Sequence, residues 1–119
     1  MGVGYFLVNY SKKELLSFSH IGASTARELA GNPVSAAMTT WYTLQNIGDS
    51  ISFLSDTYDD WVFPDGTRDE LSNYRDVTDE VVKSLVEAEI LADLGKEWAD
   101  EEEPDKIYIR ALKNIWMKV

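Results

Sequence analysis

The stretch DTYDDWVFPDG, residues 56–66, concentrates the residue types of this chain that could do chemistry, because it holds four aspartates and three aromatic side chains. Neighbouring carboxylates can bind a hard cation, act as a general acid and base, or attract a basic partner. An EF-hand loop needs acids at alternating positions, then a glycine and a closing glutamate, and this stretch lacks that spacing. Exposed loop acids also lack the burial that raises a carboxyl pKa for glycosidase chemistry. A calcium-binding or hydrolase domain is therefore the weakest alternative, and no metal site is expected.

Other catalytic residue types are scarce. His20 is the only histidine, and the chain has no cysteine, which argues against a zinc site and excludes a thiolate nucleophile. The sequence has no G-x-S-x-G motif and no glycine-rich phosphate loop. Gly2 and Gly4 come before the apolar run of the first predicted strand, whereas a dinucleotide-binding motif would need glycines after a strand. We expect a protein that is not an enzyme and that uses no cofactor.

The charge of the chain is concentrated in one segment. Residues 56–105 contain 18 acids and four bases, residues 1–55 contain three of each, and residues 106–119 contain four bases and no acid. The formal net charge of -10 would repel nucleic acid and anionic membranes, whose binding depends on Lys and Arg. The natural complement is a basic protein, although acids that serve only solubility are an alternative.

Trp61 and Phe63 lie between acids and a Pro-Asp-Gly turn, and two interpretations of them stay open. The indole of Trp61 can fold back as a plug over the core, or it can serve as an aromatic anchor ringed by carboxylates in a binding hot spot. On the second interpretation, the predicted partner-binding residues are Asp56, Asp59, Asp60, Trp61, Phe63, Asp65, Asp69 and Glu70.

Hydrophobic periodicity predicts the elements that position this stretch. Asn32 and Pro33 are typical of a helix start, and apolar positions recur every three or four residues up to Ile47, which favours an inward stripe that includes Trp41 and Leu44. The predicted strands are 3–10, 14–19 and 50–56, and the predicted helices are 33–47 and 79–92. Segment 105–117 fits both the helical and the strand period of apolar residues, and we favour a helix there over a strand.

These elements predict an α+β fold: one domain over 1–119, with an antiparallel sheet of about three strands packed against helices. No apolar run approaches the length of a membrane span, so no transmembrane segment is expected. The N-terminus does not resemble a signal peptide, and the absence of cysteine is typical of the cytoplasm. We therefore expect a cytoplasmic protein.

Three patches resemble a set of small bacterial proteins that share V-N-x-x-K-x-E, G-D-x-I-x-F-x-x-D and D-[VI]-[ST]-D-E-V. Here they read VNYSKKE, GDSISFLSD and DVTDEV, within residues 5–82. By type, this acidic chain also resembles the immunity proteins of contact-dependent growth-inhibition and polymorphic toxin systems. That resemblance implies a cytosolic inhibitor of a basic, nuclease-type toxin domain. The alternative is a regulatory or housekeeping domain whose partner is unknown.

Overall fold

In the computed structural model, which describes residues 3–116, the chain combines a four-stranded main sheet, helices and a separate two-stranded hairpin. The predicted α+β class is confirmed. The strands are β1 (Tyr5–Asn9), β2 (Glu14–Leu16), β3 (Ile51–Ser55), β4 (Arg75–Asp76), β5 (Leu91–Ala99) and β6 (Tyr108–Asn114). The helices are α1 (Ala26–Gly31), α2 (Pro33–Gln45) and α3 (Thr78–Glu87), and a 3-10 helix covers Arg68–Asn73.

The main sheet has the strand order β3-β1-β2-β4. The three predicted strands all form and pair antiparallel, each shorter than predicted. The expectation of a purely antiparallel sheet is wrong, because β4 adds to β2 in parallel. The 3-10 helix reverses the chain, and the N–H groups of Arg75 and Val77 then donate to the carbonyls of Lys13 and Leu15 at 3.1 and 2.9 Å.

Both faces of the main sheet bury side chains. Alternation along paired strands puts Leu7 and Leu16 on one face, where they join the core cluster with the helices. Val8 and Leu54 belong to the opposite face and are 0% exposed, although the helical core cluster does not include them. Another part of the chain must therefore cover this second face, which we call the back face.

Local capping signals explain where two helices begin. Thr25 and Glu28 form a reciprocal capping box at the start of α1. The Asn32 side chain accepts from the N–H groups of Val34 and Ser35 at 2.9 and 3.1 Å, and the fixed φ of Pro33 suits the first turn of α2. The predicted start of this helix is confirmed.

The predicted inward face of α2 is partly wrong. Leu44 is 58% exposed, and Ile47 lies beyond the helix end and is 81% exposed. The buried residues are Val34, Ser35, Met38 and Tyr42, while Trp41 is half-buried at the edge of the core. Two hydrogen bonds accompany this rotation, since the Ser35 hydroxyl donates to the Leu29 carbonyl at 2.8 Å and the Tyr42 hydroxyl donates to Glu14 Oε1 at 2.6 Å.

The prediction of a helix over 79–92 is wrong at its C-terminal end. Val81, Val82 and Leu85 face the core as expected, but α3 ends at Glu87. Glu89 adopts a positive φ of 62°, and the chain reverses there into β5. The apolar residues from position 91 onward therefore belong to a strand.

The favoured helix over 105–117 is also wrong, and its last residue lies outside the described residues. Residues 108–114 form β6, which pairs antiparallel with β5. Two register shifts interrupt the pairing, between Asp93 and Lys96 and between Lys96 and Trp98. Tyr108 and Ile109 lie directly opposite strand residues of β5, so the alternation of β-branched residues, and not the helical period, describes this segment.

Candidate functional site

The acidic loop, which we define as residues 56–70, leaves β3 and runs across the back face of the main sheet. Two side chains of that face contact it. The Tyr10 ring stacks on Phe63, with ring centroids 5.2 Å apart, and the guanidinium of Arg68 lies 5.7 Å from the Phe6 ring centroid. The acidic loop is thus the cover that the buried back-face residues Val8 and Leu54 require.

Trp61 belongs to a small aromatic cluster, not to the helical core. Its ring meets Tyr10 edge-on at 6.1 Å and Phe63 at 5.2 Å between centroids. Its Nε1–H donates to the carbonyl of Asp65 at 2.8 Å, which closes the Pro-Asp-Gly turn. Trp61 and Phe63 are half-buried, so much of their apolar area is already used to hold the acidic loop on the sheet.

Gly66 makes this turn possible. Its φ is +82°, a left-handed conformation that side chains rarely adopt. A Cβ at this position would also lie 2.9 Å from Glu70 Oε1 and 3.3 Å from the Trp61 ring. Glycine at this position therefore allows the turn and the aromatic cluster to form together.

Arg68 clamps the acidic loop to β3. Its Nη1 donates to the carbonyl of Asp60 at 3.1 Å and to Asp60 Oδ1 at 3.2 Å, and its Nη2 donates to the Ser55 carbonyl. The Ser55 hydroxyl donates to Asp60 Oδ1 at 2.7 Å. That hydrogen bond, with a smaller contribution from the Arg68 charge, holds the pKa of Asp60 below its usual value.

The predicted acids separate into two groups of three. The first group has structural partners: Asp56 accepts from the Gly4 N–H at 3.1 Å, Asp60 belongs to the Arg68 clamp, and Glu70 accepts from the Thr67 N–H at 2.7 Å in a capping box. The carboxylates of Asp59, Asp65 and Asp69 are exposed and have no hydrogen-bond or ion-pair partner within residues 3–116. The second group is therefore free to meet another molecule.

Most acids of the charged segment are unpaired. Five of the 18 acids in residues 56–105 form ion pairs with bases of the described chain, which leaves 13 without one; the five are Asp60, Asp79, Glu80, Asp93 and Asp105. The unpaired acids lie mainly on the acidic loop and at the tip of the β5–β6 hairpin, where Asp100–Glu103 precede β6. The surface thus has two acidic areas.

A polar cleft of about 250 Å³ surrounds His20. The imidazole stacks on the Tyr108 ring at 3.8 Å between centroids, and its Nδ1 lies 3.0 Å from the Tyr108 carbonyl. Arg110, which lines the same cleft, is paired with Asp79 and Asp93 at 2.9 and 3.1 Å. His20 thus attaches the hairpin to the loop before α1, which gives it a structural role.

Within residues 3–116, no group of three or more His, Cys, Asp or Glu side chains is arranged to hold a metal ion. None of the helices in that range combines the length and apolar character required to cross a membrane.

The sequence analysis missed the outward side of the β5–β6 hairpin. Leu94, Trp98 and Ile107 are 67%, 53% and 48% exposed, although large apolar side chains are more often buried. The sequence did contain a signal for this strand, because residues 107, 109 and 111 alternate as in a strand and a Pro-Asp turn precedes them.

Comparison of the chain with protein-family models, with curated proteins and with solved structures found no match.

Proposed function

We propose that this protein is a binding protein without catalytic function, specifically a cytosolic immunity protein that neutralises a basic, nuclease-type bacterial toxin domain. The observation that carries the proposal is the set of 13 acids in residues 56–105 that form no ion pair within residues 3–116. A nuclease surface carries bases arranged to receive phosphates. A protein covered with free carboxylates presents comparable charges and competes for that surface.

The acidic loop supports this proposal because some of its acids hold the loop in place while others are exposed. Asp60 and Glu70 hold the backbone in place, so Asp59, Asp65 and Asp69 project from an ordered support. Ordered charges lose little conformational freedom on binding, which favours affinity. Charges at the rim of an interface mainly accelerate association and make it sensitive to salt.

The test uses the C-terminal domain of the protein that the gene directly upstream encodes. We expect the toxin gene of such a system to lie next to its immunity gene. Cells that express this domain should stop growing, and co-expression of the protein should restore growth. Surface plasmon resonance at low and at physiological salt should show tight binding whose association rate falls as salt rises. A domain that neither binds the protein nor is neutralised by it would refute the proposed function.

A matched pair of variants locates the contribution of the acidic loop. Asp59→Asn with Asp69→Asn should slow association several-fold at low salt, with little change in melting temperature, because exposed carboxylates contribute little to stability. The control is Glu87→Gln with Glu89→Gln, which removes the same charge from two exposed acids, the last residue of α3 and one in the turn after it. Equal effects of both pairs would mean that net charge, and not the loop surface, determines the rate.

A further inference from the structure

The β5–β6 hairpin forms a sheet of its own beside the main sheet. It is attached to the body through its base and along β6. The Asn114 side chain donates to the Pro33 carbonyl at 3.1 Å, and the Arg110 N–H donates to the His20 carbonyl at 2.7 Å. The buried end residue Leu91 anchors β5 in the core. Beyond these attachments the hairpin extends toward a free tip.

The two faces of the hairpin differ in their surroundings. Tyr108, Arg110 and Leu112 alternate along one face, where they contact His20, Asp79 and the edge of the core respectively. The register shift after Lys96 places Trp98 opposite Ile109, and the next pairs place Ile107 on the same side. Trp98, Ile107 and Ile109 therefore share the opposite face, which we call the outward face. Ile109 lies near the body, since its side chain is 3.8 Å from where a Cβ on Gly22 would be, whereas Trp98 and Ile107 are exposed. Leu94, in the irregular part of β5, is exposed as well.

An exposed tryptophan on a hairpin with two further exposed aliphatic residues is the composition of a binding anchor. Tryptophan is enriched among the few residues that carry most interface energy, because its large ring fills a pocket and excludes water. Trp61 is poorly suited to that role, since its ring already packs on Tyr10 and Phe63. Trp98 is 53% exposed, and no ring-ring contact involves it within residues 3–116.

Charge identifies the kind of partner that this face accepts. Residues 97–105 contain six acids and no base: Glu97, Asp100, Glu101, Glu102, Glu103 and Asp105. A second copy of the chain would bring an equally acidic tip toward this one, and its net charge of -10 would add to the repulsion. Nucleic acid and anionic membranes are disfavoured for the same reason. A basic protein domain is the complementary occupant.

We propose that the outward face of the hairpin is the principal docking surface, with Trp98 as the anchor that enters an apolar pocket of a basic protein partner. Ile107 on the same face and Leu94 on the same strand add exposed apolar area, and the tip carboxylates of Asp100–Glu103 steer approach. This proposal rests on the proposed function and makes it more specific, because it assigns the anchoring contact to the hairpin and only a steering contribution to the acidic loop.

The test measures binding of full-length variants to the purified C-terminal domain of the upstream gene product by surface plasmon resonance. Trp98→Thr should accelerate dissociation by at least about 30-fold, as expected for loss of a hot spot. The matched control Trp116→Thr removes another exposed tryptophan, 77% exposed and outside both strands, and should change dissociation by less than about threefold. Threonine preserves strand propensity at position 98.

Charge variants separate steering from anchoring. Glu101→Gln with Glu102→Gln should slow association and flatten its salt dependence while leaving dissociation nearly unchanged. Circular dichroism melts must show that each variant is folded. If Trp98→Thr melts early, Ile107→Thr tests the same face, with faster dissociation again expected.

The outcomes distinguish failure of this proposal from failure of the proposed function. If the wild-type protein does not bind the upstream domain, both are refuted. If it binds and neither Trp98→Thr nor Ile107→Thr accelerates dissociation more than Trp116→Thr does, the hairpin anchor is refuted and the proposed function stands. A wild-type dimer in sedimentation velocity that Trp98→Thr converts to a monomer would show that a second copy occupies this face, which also refutes the proposal.

Discussion

Replacing Arg68 with alanine removes the clamp between the acidic loop and β3. The guanidinium donates at 3.1 Å to the Asp60 carbonyl and at 3.2 Å to Asp60 Oδ1, and also donates to the Ser55 carbonyl. A hydrogen bond to a charged group contributes about 1.5–3 kcal/mol. The three share one side chain, and the Asp60 side chain is 37% exposed, so water replaces part of the loss. We expect the free energy of unfolding to fall by about 2–3 kcal/mol.

Calorimetry can measure this loss directly. A chain of 119 residues has an unfolding entropy of about 250 cal/mol/K, from about 2.1 cal/mol/K per residue. The melting temperature of Arg68→Ala should therefore drop by about 8–12 °C. Arg68→Lys retains the charge without the planar guanidinium, and its melting temperature should lie between those of wild type and Arg68→Ala. Lys83→Ala removes an exposed base from α3 and should change the free energy of unfolding by less than about 0.5 kcal/mol.

The pH dependence checks the mechanism. The Ser55 hydrogen bond and the Arg68 charge lower the pKa of Asp60 in the folded state. A lowered carboxyl pKa contributes stability above the unfolded pKa of about 3.9, and this contribution disappears as pH falls through the folded pKa. The stability difference between wild type and Arg68→Ala should therefore narrow below about pH 4. A melting-temperature drop of less than about 2 °C would refute the clamp. A difference that persists unchanged in acid would show that Arg68 acts through the backbone carbonyls of Asp60 and Ser55 and not through the Asp60 carboxylate.

The other predictions concern the core, a buried hydroxyl and calcium. Met38→Ala should cost about 2–5 kcal/mol in urea unfolding because Met38 is 0% exposed, and Trp41→Ala should cost less than a fully buried tryptophan would, since half-exposed atoms leave no closed cavity; equal melting of Met38→Ala and wild type would contradict the core assignment. Tyr42→Phe should cost about 1–2 kcal/mol through the lost hydrogen bond to Glu14. Burial raises the pKa of Tyr42, so this hydroxyl contributes to the loss of stability as pH rises above about 10, and stability curves should be flatter there for Tyr42→Phe. Titration calorimetry with calcium should show no saturable heat, and a dissociation constant below about 10 μM would contradict that expectation.

Local signals account for the parts of the fold that the sequence predicted correctly. The Asn32 cap and Pro33 act within one turn of chain. Such interactions form largely regardless of what the rest of the chain does. The strands around residues 5 and 53 likewise follow from runs with β-branched and aromatic residues bounded by turns.

Choices between two patterns of similar strength depended on distant residues. Segment 105–117 fits both helical and strand periods, and the strand is selected because backbone groups of β6 gain partners on β5 and, at Arg110, on the His20 carbonyl. The inward face of α2 was misjudged for a related reason. Ser35 is buried by its hydrogen bond to Leu29 and Tyr42 by its bond to Glu14, and a polar residue on a helix face carries no sign of such partners in the sequence.

The candidate site divides in the same way. The sequence by itself determined that the chain is acidic, that the charge falls in residues 56–105 and that aromatic residues accompany it, because composition does not depend on folding. Only the tertiary structure decided which side chains are free. Trp61 and Asp60 are engaged by Tyr10 and Arg68, whereas Trp98 remains exposed. Exposure is set by non-local packing, so it becomes visible only when residues far apart in the chain have come together.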